Sequence, residues 1–555
     1  MTKSRKKNKQ SQSQTAPGSS TLAGESPGLA AGGNTDLPPE AQGTAVVGIL
    51  AAMMLLAPAL GVPSEEMLQD TLKSIVVSFL ALGAGLLLFW QQRKRSEAFR
   101  WHMLMWLPLA LMVYALGSMA WSHTYLGAVE AIRWFVFSLL VWLGLNTLAR
   151  ERLPTLAWGI HAGAVVASLW AVLQFWFDFQ LFPQGPHPAS TFVNRNFFAE
   201  FAVCTLPFGL MLWARARKDQ AVAGIGASVA LVVLAILMTG TRAALIAMWV
   251  QLLLVLPWIA WRYRAQFAFP QWSRHTRLLA AAVTVGMIVG LGSIPTGDAK
   301  IVEEGRGLTA LERGARRTAS VSPDDHSLGV RKVMWKQTLR VIEQRPISGV
   351  GAGAWESEIP LYQDSGSQLE TDYYVHNEYL QLLAEYGLVG WAFLLALAGW
   401  LLVVLRQTLQ AGTTVAKSDE AVLEAPWRAI LLCSLLSLFI VSNVGFPWRM
   451  AATGALFALC LGALAASQAR LQQVRWWDAV RMPWRPQFSQ AGTLLMLVCL
   501  ALAAFISQQA TVAEYKIVRA TKMALSITAS GEPNNPKWNK LKLEMLGLRQ
   551  CPDHC

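Results

Sequence analysis

One stretch of the chain, HNEYLQLLAEYGLVG, concentrates side chains that can move a proton. It begins with His376, Asn377 and Glu378, and the residues that follow have the apolar spacing of a helix. A helix N-terminus disfavours added positive charge, so this position favours the neutral imidazole that a general base requires. Asp372 is the expected cap of that helix. The same spacing suits a surface or capping histidine, and spacing alone does not decide between the two.

Three arginines near predicted helix ends are the second group of interest. Arg242 lies in TGTRAALIAMW, Arg195 lies in the short sequence NRN, and Arg331 opens a predicted helix. A guanidinium group binds phosphate oxygens through paired donors, so several of them together predict a diphosphate site. The alternative for each arginine is an interfacial position from which the side chain reaches the lipid headgroups.

Two further polar groups are weaker candidates for cation binding. The sequence SPDDH at 322–326 carries two carboxylates and a histidine, although a solvated loop has the same composition. Cys551 and Cys555 flank His554 at the end of the chain, where they suit a disulfide, a metal site or a mobile tail. Neither arrangement is a convincing ligand set, so we expect no metal site. The sequence also has no phosphate-cradling P-loop, and we expect no cofactor.

The composition indicates the class of protein in which these residues occur. Of 555 residues, 54% are hydrophobic and 15% are charged, and the apolar residues form many long runs. A run of about 20 apolar residues spans a bilayer as a helix, so the sequence predicts an all-α polytopic membrane protein. The net charge of +13 does not indicate a nucleic-acid partner, because the basic residues form short clusters between apolar runs and follow the positive-inside rule.

The apolar runs predict about thirteen membrane-spanning helices, with the N-terminus in the cytoplasm and the C-terminus outside. Residues 1–42 are expected to be a disordered cytoplasmic tail. Helices 1–9 occupy 43–294, helices 10–13 occupy 388–508, and 295–387 forms a large outer loop between them. Residues 509–555 follow as an outer segment with one amphipathic helix. The predicted spans are 43–61, 71–90, 103–121, 129–149, 155–177, 197–214, 221–239, 242–261, 278–294, 388–405, 427–444, 450–467 and 490–508.

The loop 295–387 is too long for a simple connection and is expected to have its own structure. Its first part, to about 326, is polar and is expected to be irregular or mobile. Its second part contains a helix ended by Pro346, a glycine-rich turn SGVGAGAW, and a second helix ended by Gly387. The glycines of the turn permit close backbone approach, whereas Gly387 and Gly390 are better explained as ordinary helix stops.

These motifs resemble the O-antigen ligase and polymerase superfamily, and the ligases most of all. The superfamily pairs a histidine and an asparagine before a helix that ends in Gly-x-x-Gly, as His376, Asn377, Gly387 and Gly390 do here. The stretches TFVNRNFFAEF, TGTRAALIAMW and RKVMWKQTLRVIEQRPISGVGAGAWE are similar to the family as well. Their order and the large outer loop also match, and the resemblance covers about 190–465.

The resemblance implies a GT-C-like glycosyltransferase of the bacterial inner membrane that acts on its periplasmic side without a metal. Its donor would be a glycan on undecaprenyl diphosphate. Its acceptor would be the lipid A core for a ligase, a lipid-linked glycan for a polymerase, or a pilin or other protein. By matching motif, His376 would be the base, supported by Asn377 and Glu378. Arg242, with Arg195 and Arg331, would hold the diphosphate.

A membrane transporter is the alternative from a different functional class. Transporters often show internal repeats and ionisable residues near the middle of the bilayer. We find no such repeat in this sequence, and the polar candidates lie at the predicted outer ends of the helices. This pattern favours the enzyme.

Overall fold

The computed structural model is built almost entirely of α-helices, which confirms the predicted all-α class. It describes residues 39–94, 98–320, 326–364, 374–411, 419–473 and 479–549. Within them one pair of short antiparallel strands occurs, β1 (Phe99–His102) and β2 (Ala479–Met482). In chain order the helices are α1 Pro39–Ala59, α2 Gln69–Gln92, α3 Trp106–Ser118, α4 Thr124–Thr147, α5 Leu153–Phe177, α6 Arg195–Arg215, α7 Asp219–Thr239, α8 Arg242–Val250, α9 Leu256–Arg262, α10 Arg274–Gly286, α11 Ala299–Glu303, α12 Ala310–Ala319, α13 His326–Gln344, α14 Trp355–Glu358, α15 Glu378–Gln410, α16 Asp419–Val441, α17 Ala451–Arg470, α18 Pro486–Ala529 and α19 Asn539–Arg549.

Ten helices in the described part of the chain are long and apolar enough to cross a membrane. Two shorter apolar helices, Gly43–Ala59 and Met103–Ser118, correspond to the predicted spans 43–61 and 103–121. The predicted span 278–294 is formed by α10 and the π-helix Met287–Leu291, which are not among the ten. The chain is a multi-pass membrane protein with fewer full-length spans than predicted. Which connections face the cytoplasm stays a prediction.

Helix α17 is nearly completely buried and packs against α4 and α16. The backbones of α17 and α4 approach closely at two glycines: a Cβ on Gly462 would lie 2.7 Å from the Val141 carbonyl oxygen and 3.0 Å from the Gly144 Cα. Any larger residue would push the two helices apart. Cys433 and Cys460 are buried in the same region.

The first part of the large loop is folded, so the expectation of an irregular segment was wrong. It contains α11 and α12, and each begins with a side-chain cap. Asp298 accepts hydrogen bonds from two amides of α11. Thr309 accepts from the Glu312 amide at 3.1 Å, and the Glu312 carboxylate accepts from the amide before the cap at 2.8 Å. These caps satisfy amides that short helices otherwise leave unpaired. Residues 321–325, which hold most of SPDDH, lie outside the described residues.

The second part of the loop contains the two predicted helices and has a small apolar core of its own. Met334, Val341, Trp355 and Ile359 are buried in this core, which is separate from the core of the helix bundle. The indole of Trp355 also donates a hydrogen bond of 3.1 Å to the hydroxyl of Thr338 on α13. This core fixes α13 against α15 and holds the glycine-rich turn between them.

Gly387 interrupts α15, as the interpretation of this glycine as a helix stop predicted. Its backbone is non-helical, at φ 50° and ψ −128°, and a second helical segment of α15 begins directly after it and continues to Gln410. The break lets the Leu388 amide donate a hydrogen bond of 2.9 Å to the Ile347 carbonyl oxygen. A Cβ on Gly387 would lie 2.3 Å from that same oxygen. Both the positive φ and the close contact therefore require glycine.

Replacing Gly387 with alanine is expected to destabilise the protein by about 1–3 kcal/mol, because the new Cβ strains the backbone and collides with the Ile347 carbonyl. The free energy of unfolding in detergent measures the effect. Gly399→Ala is the matched control in the same helix, since nothing lies within 4 Å of its Cβ position. Equal stability of the two variants would contradict the role assigned to the break.

The C-terminal part of the fold is one continuous helix, α18, of 44 residues. The sequence predicted a span at 490–508 followed by a separate amphipathic helix. The second half of α18 contacts the start of α2, where Glu514 accepts hydrogen bonds from the Leu68 amide at 3.1 Å and from the Thr71 hydroxyl. The two C-terminal cysteines and residues 1–38 lie outside the described residues.

Candidate active site

His376 lies in the turn formed by residues 374–377, immediately before α15. The helix begins at Glu378 and is capped by Asn377, whose side-chain oxygen accepts two amide hydrogen bonds of 3.1 Å from the first turn. The predicted cap, Asp372, lies outside the described residues. His376 is therefore held next to the helix N-terminus, while its neighbour Asn377 performs the capping.

The backbone of His376 has φ 53°, in the left-handed region that residues other than glycine and asparagine rarely occupy. Its ring packs edge-on against Phe446, with ring centroids 5.1 Å apart. Phe446 also contacts the rings of Tyr374 at 4.4 Å and Phe197 at 5.0 Å. Such backbone conformations persist where the surroundings enforce them, and they concentrate at functional sites.

Glu378 anchors the start of α15 to the segment 442–450 that joins α16 to α17. Its buried carboxylate accepts a hydrogen bond of 2.7 Å from the Trp448 amide, and its own amide donates a hydrogen bond of 3.0 Å to the Ser442 carbonyl. The residue after the His–Asn pair thus attaches the start of α15 to this segment, and its supporting role at the site stays a prediction.

Arg449, in the same segment, joins three buried carboxylates from two helices. Its guanidinium group pairs with Glu130 of α4 at 2.7 Å and with Glu385 of α15 at 2.5 Å, and it lies 3.9 Å from Glu378. The Tyr386 hydroxyl donates a hydrogen bond of 3.0 Å to Glu130 and extends the network. Buried charges are tolerated only when paired in this way, so the network fixes α4 and α15 beside His376.

Arg195 is the first residue of α6 and is buried. Its Nη1 donates hydrogen bonds to the Glu304 carboxylate at 2.6 Å and to the His187 carbonyl at 3.1 Å. The other oxygen of Glu304 accepts a hydrogen bond of 2.6 Å from Arg313 on α12. Burial opposes the ionisation of Glu304, but Arg195 and Arg313 outweigh it and lower the pKa of Glu304 below its usual value.

Arg242 is the first residue of α8 and contacts the end of α12. Its Nη1 lies 3.4 Å from the carbonyl oxygen of Ser320, and the neighbouring Arg317 donates a hydrogen bond of 3.0 Å to the carbonyl of Gly240. Burial and the charges of Arg242 and of three further arginines, Arg306, Arg195 and Arg313, lower the pKa of Arg317 to about 10. Arg195 and Arg242 therefore belong to one cluster of guanidinium groups.

The first two turns of α6 connect this cluster to His376. Asn196 accepts a hydrogen bond of 3.0 Å from the Thr241 hydroxyl, which precedes Arg242. Phe197 packs on Phe446, which in turn contacts His376. One turn later, Glu200 lies close enough to Arg331 for their charges to interact. The structure thus brings Arg195 and Arg242 into one cluster, and Arg331 lies within range of electrostatic interaction with Glu200.

Asp178, His187 and Asp298 each offer one possible metal-ligating atom, and these atoms lie within 4.8 Å of one another. All three side chains already have hydrogen-bond roles. His187 Nδ1 bonds Asp298 Oδ2 at 2.9 Å, Asp298 Oδ1 caps α11, and Asp178 Oδ1 accepts from Gln180 at 2.8 Å. These bonds hold the loop before α6 against α11, and the same loop supplies the carbonyl that Arg195 contacts.

Residues 227–395 match the family model described as O-Antigen ligase. This match supports the resemblance to the O-antigen ligase superfamily that the sequence motifs predict. No curated protein matches the chain. The match supports a role in membrane glycan transfer of the O-antigen ligase and polymerase type, with a lipid-linked glycan and an acceptor as partners in general.

The O-antigen ligase match extends from α7 to the middle of α15. It contains Arg242, Arg331 and His376 of the predicted site, together with all of α12. Arg195 and Arg449 lie outside the matched residues but contact them through Glu304 and Glu385. The arrangement around His376 is therefore completed by helices that flank the O-antigen ligase match.

Three arginines of this arrangement were missed by sequence reasoning: Arg313, Arg317 and Arg449. The first two had a signal, because TALE at 309–312 has the Thr-x-x-Glu pattern of a helix start. Arginines four residues apart in a helix share a face. Arg449 had no comparable signal, since its partners Glu130 and Glu385 are 319 and 64 residues away in the chain.

Proposed function

We propose that the protein transfers a glycan from undecaprenyl diphosphate to an acceptor hydroxyl on the predicted periplasmic side of the bacterial inner membrane. The acceptor oxygen forms a bond to the anomeric carbon, and the bond from that carbon to the diphosphate oxygen breaks. His376 takes the proton of the acceptor hydroxyl. Arg195, Arg242 and Arg331 stabilise the charge that develops on the departing lipid diphosphate. Direct displacement of this kind inverts the anomeric centre.

The observation that carries this proposal is that the first turn of α6 contacts both the start of α8 and the aromatic residue that packs on His376. This turn carries Arg195 and touches the start of α8, which bears Arg242. The same turn reaches His376 through Phe197 and Phe446. The proposed base and the proposed diphosphate-binding residues Arg195 and Arg242 are thus connected through α6. Glycan transfer requires a base near the attacking acceptor oxygen and anion-binding groups near the departing diphosphate oxygen.

The proposed acceptor is the lipid A core, as in O-antigen ligation. A polymerase and a protein O-oligosaccharyltransferase of the same superfamily use the same donor and the same chemistry and differ in the molecule that supplies the hydroxyl. The description of the matching family as O-Antigen ligase favours the lipid A core.

A reconstitution experiment tests the function. The full-length protein in liposomes is supplied with undecaprenyl-diphosphate-linked glycan and with one acceptor at a time: lipid A core, a second lipid-linked glycan, or a pilin. We expect glycan on lipid A core, detected by its mass. Transfer to the other acceptors instead would replace ligation with polymerisation or protein glycosylation. Movement of the donor across the bilayer without any transfer would overturn the enzyme and indicate a transporter.

A further inference from the structure

We propose that Arg313 and Arg317 of α12 are diphosphate-binding residues that complete the site begun by Arg195 and Arg242. The inference rests on the proposed function for the identity of the ligand. It goes beyond that function in assigning binding residues to α12, in the first part of the large loop, which the sequence had suggested was irregular.

Arg313 has unused hydrogen-bond donors in a buried position. Its side chain is 0% exposed, and only Nη2 has a partner, the carboxylate of Glu304. Nε and Nη1 are buried with no hydrogen-bond partner in the described part of the chain. A buried donor without an acceptor costs about 1–3 kcal/mol. The oxygens of a bound anion would satisfy both nitrogens and remove this cost.

Arg317 is held close to other guanidinium groups. Its Nε donates a hydrogen bond of 3.0 Å to the carbonyl of Gly240, which directly follows α7 and lies two residues before Arg242. The like charges around Arg317 disfavour its protonated form, and together with burial they lower its pKa to about 10. A ligand with two or more negative charges converts this mutual repulsion into attraction.

The arrangement suits a diphosphate better than a single phosphate. The guanidinium groups come from three separate elements, with Arg195 on α6, Arg242 on α8, and Arg313 and Arg317 on α12. Groups that approach from different directions can each bind different oxygens of a ligand that has two phosphate centres. A phospholipid headgroup shares the phosphate chemistry but presents one phosphate, and this difference can be measured.

Arg317→Gln and Arg316→Gln form a matched pair for the test. The two arginines are adjacent in α12, but the Arg316 side chain is 60% exposed and pairs with Glu312 one turn earlier. Binding is measured on the full-length protein in nanodiscs with undecaprenyl diphosphate that carries no glycan. We expect Arg317→Gln to weaken this binding at least tenfold. Arg316→Gln should change it by less than about twofold.

Two further probes separate a diphosphate site from a headgroup site. Undecaprenyl monophosphate and phosphatidylglycerol are titrated against the same variants. We expect both to bind more weakly than the diphosphate and to lose less binding in Arg317→Gln. Arg317→Lys, which keeps the charge but not the paired donors, should bind the diphosphate with intermediate affinity. Equal losses for phosphatidylglycerol and the diphosphate would overturn the assignment and indicate a headgroup site.

The binding and transfer measurements test the role of α12 separately from the proposed function. If Arg317→Gln binds undecaprenyl diphosphate as Arg316→Gln does, while the wild-type protein transfers glycan, the role of α12 fails and the function stands. If the diphosphate binds and the binding depends on Arg317, but no acceptor receives glycan, the binding site stands and the transfer function fails. Arg313→Gln provides a second variant, expected to weaken diphosphate binding at least tenfold as well.

Discussion

Replacing His376 with asparagine is expected to lower glycan transfer by about 10²–10⁴-fold, the usual contribution of a positioned general base. Asparagine is the informative substitution because, next to glycine, it adopts the left-handed backbone conformation of this position most readily. His376→Ala would add backbone strain at φ 53° to the loss of the imidazole and so confuse the two effects. The measurement is single-turnover transfer with the donor bound in advance.

His123→Asn is the control for this substitution. His123 is exposed in the turn before α4, which is also predicted to face the periplasm, and its side chain makes no capping hydrogen bond. Transfer by this variant should equal that of the wild-type protein. Undecaprenyl diphosphate binding by His376→Asn should also be unchanged, since the donor phosphates are assigned to the arginines. Full transfer activity in His376→Asn would remove His376 from the mechanism.

Replacing Arg449 with alanine is expected to destabilise the protein by about 3–5 kcal/mol, the usual effect of removing one partner of a buried ion pair. The substitution leaves Glu385 and Glu378 buried without their cation, while Glu130 keeps its contact with Arg133. The uncompensated charge should separate α15 from α4 and displace the turn that carries His376. The free energy of unfolding in detergent measures the loss.

Two variants show whether the charge network causes the effect of Arg449→Ala. In the double variant Arg449→Ala, Glu385→Gln, one uncompensated carboxylate is removed, and part of the lost stability should return. Arg316→Ala breaks an exposed pair with Glu312, and it should cost less than about 0.5 kcal/mol. If Arg449→Ala is no less stable than Arg316→Ala, the network does not hold the site together.

The sequence was informative wherever a property depends on neighbours along the chain. Apolar runs of membrane-spanning length predict helices, and the structure confirms an all-α multi-pass protein. The His–Asn pair predicts a helix start near His376, and the helix begins two residues later at Glu378. The capping pattern at Thr309 and Glu312 was present in the sequence too, so α12 was predictable and was overlooked.

The sequence was less informative about where helices break or continue. Gly387 was predicted to end a helix, and a helix does end there, but a second helical segment begins directly after it, where the Leu388 amide donates a hydrogen bond to the Ile347 carbonyl. The span near 278–294 became a helix with a π-helical end, and α18 continues well beyond its predicted limit at 508. Local sequence preferences are a weak guide to where a helix ends.

By itself, the sequence determined that the chain crosses a membrane, that it is helical, and which histidine and arginines are candidates for the active site. Only the tertiary structure decided which of those residues meet. Arg195 and Arg242 share a cluster because Glu304 joins Arg195 to Arg313 of α12, and the end of α12 contacts Arg242. Arg449 pairs with carboxylates on α4 and α15. Helix periodicity and caps depend on residues a few positions apart. The pairing of buried charges depends on contacts between segments that are far apart in the chain, and no local pattern encodes them.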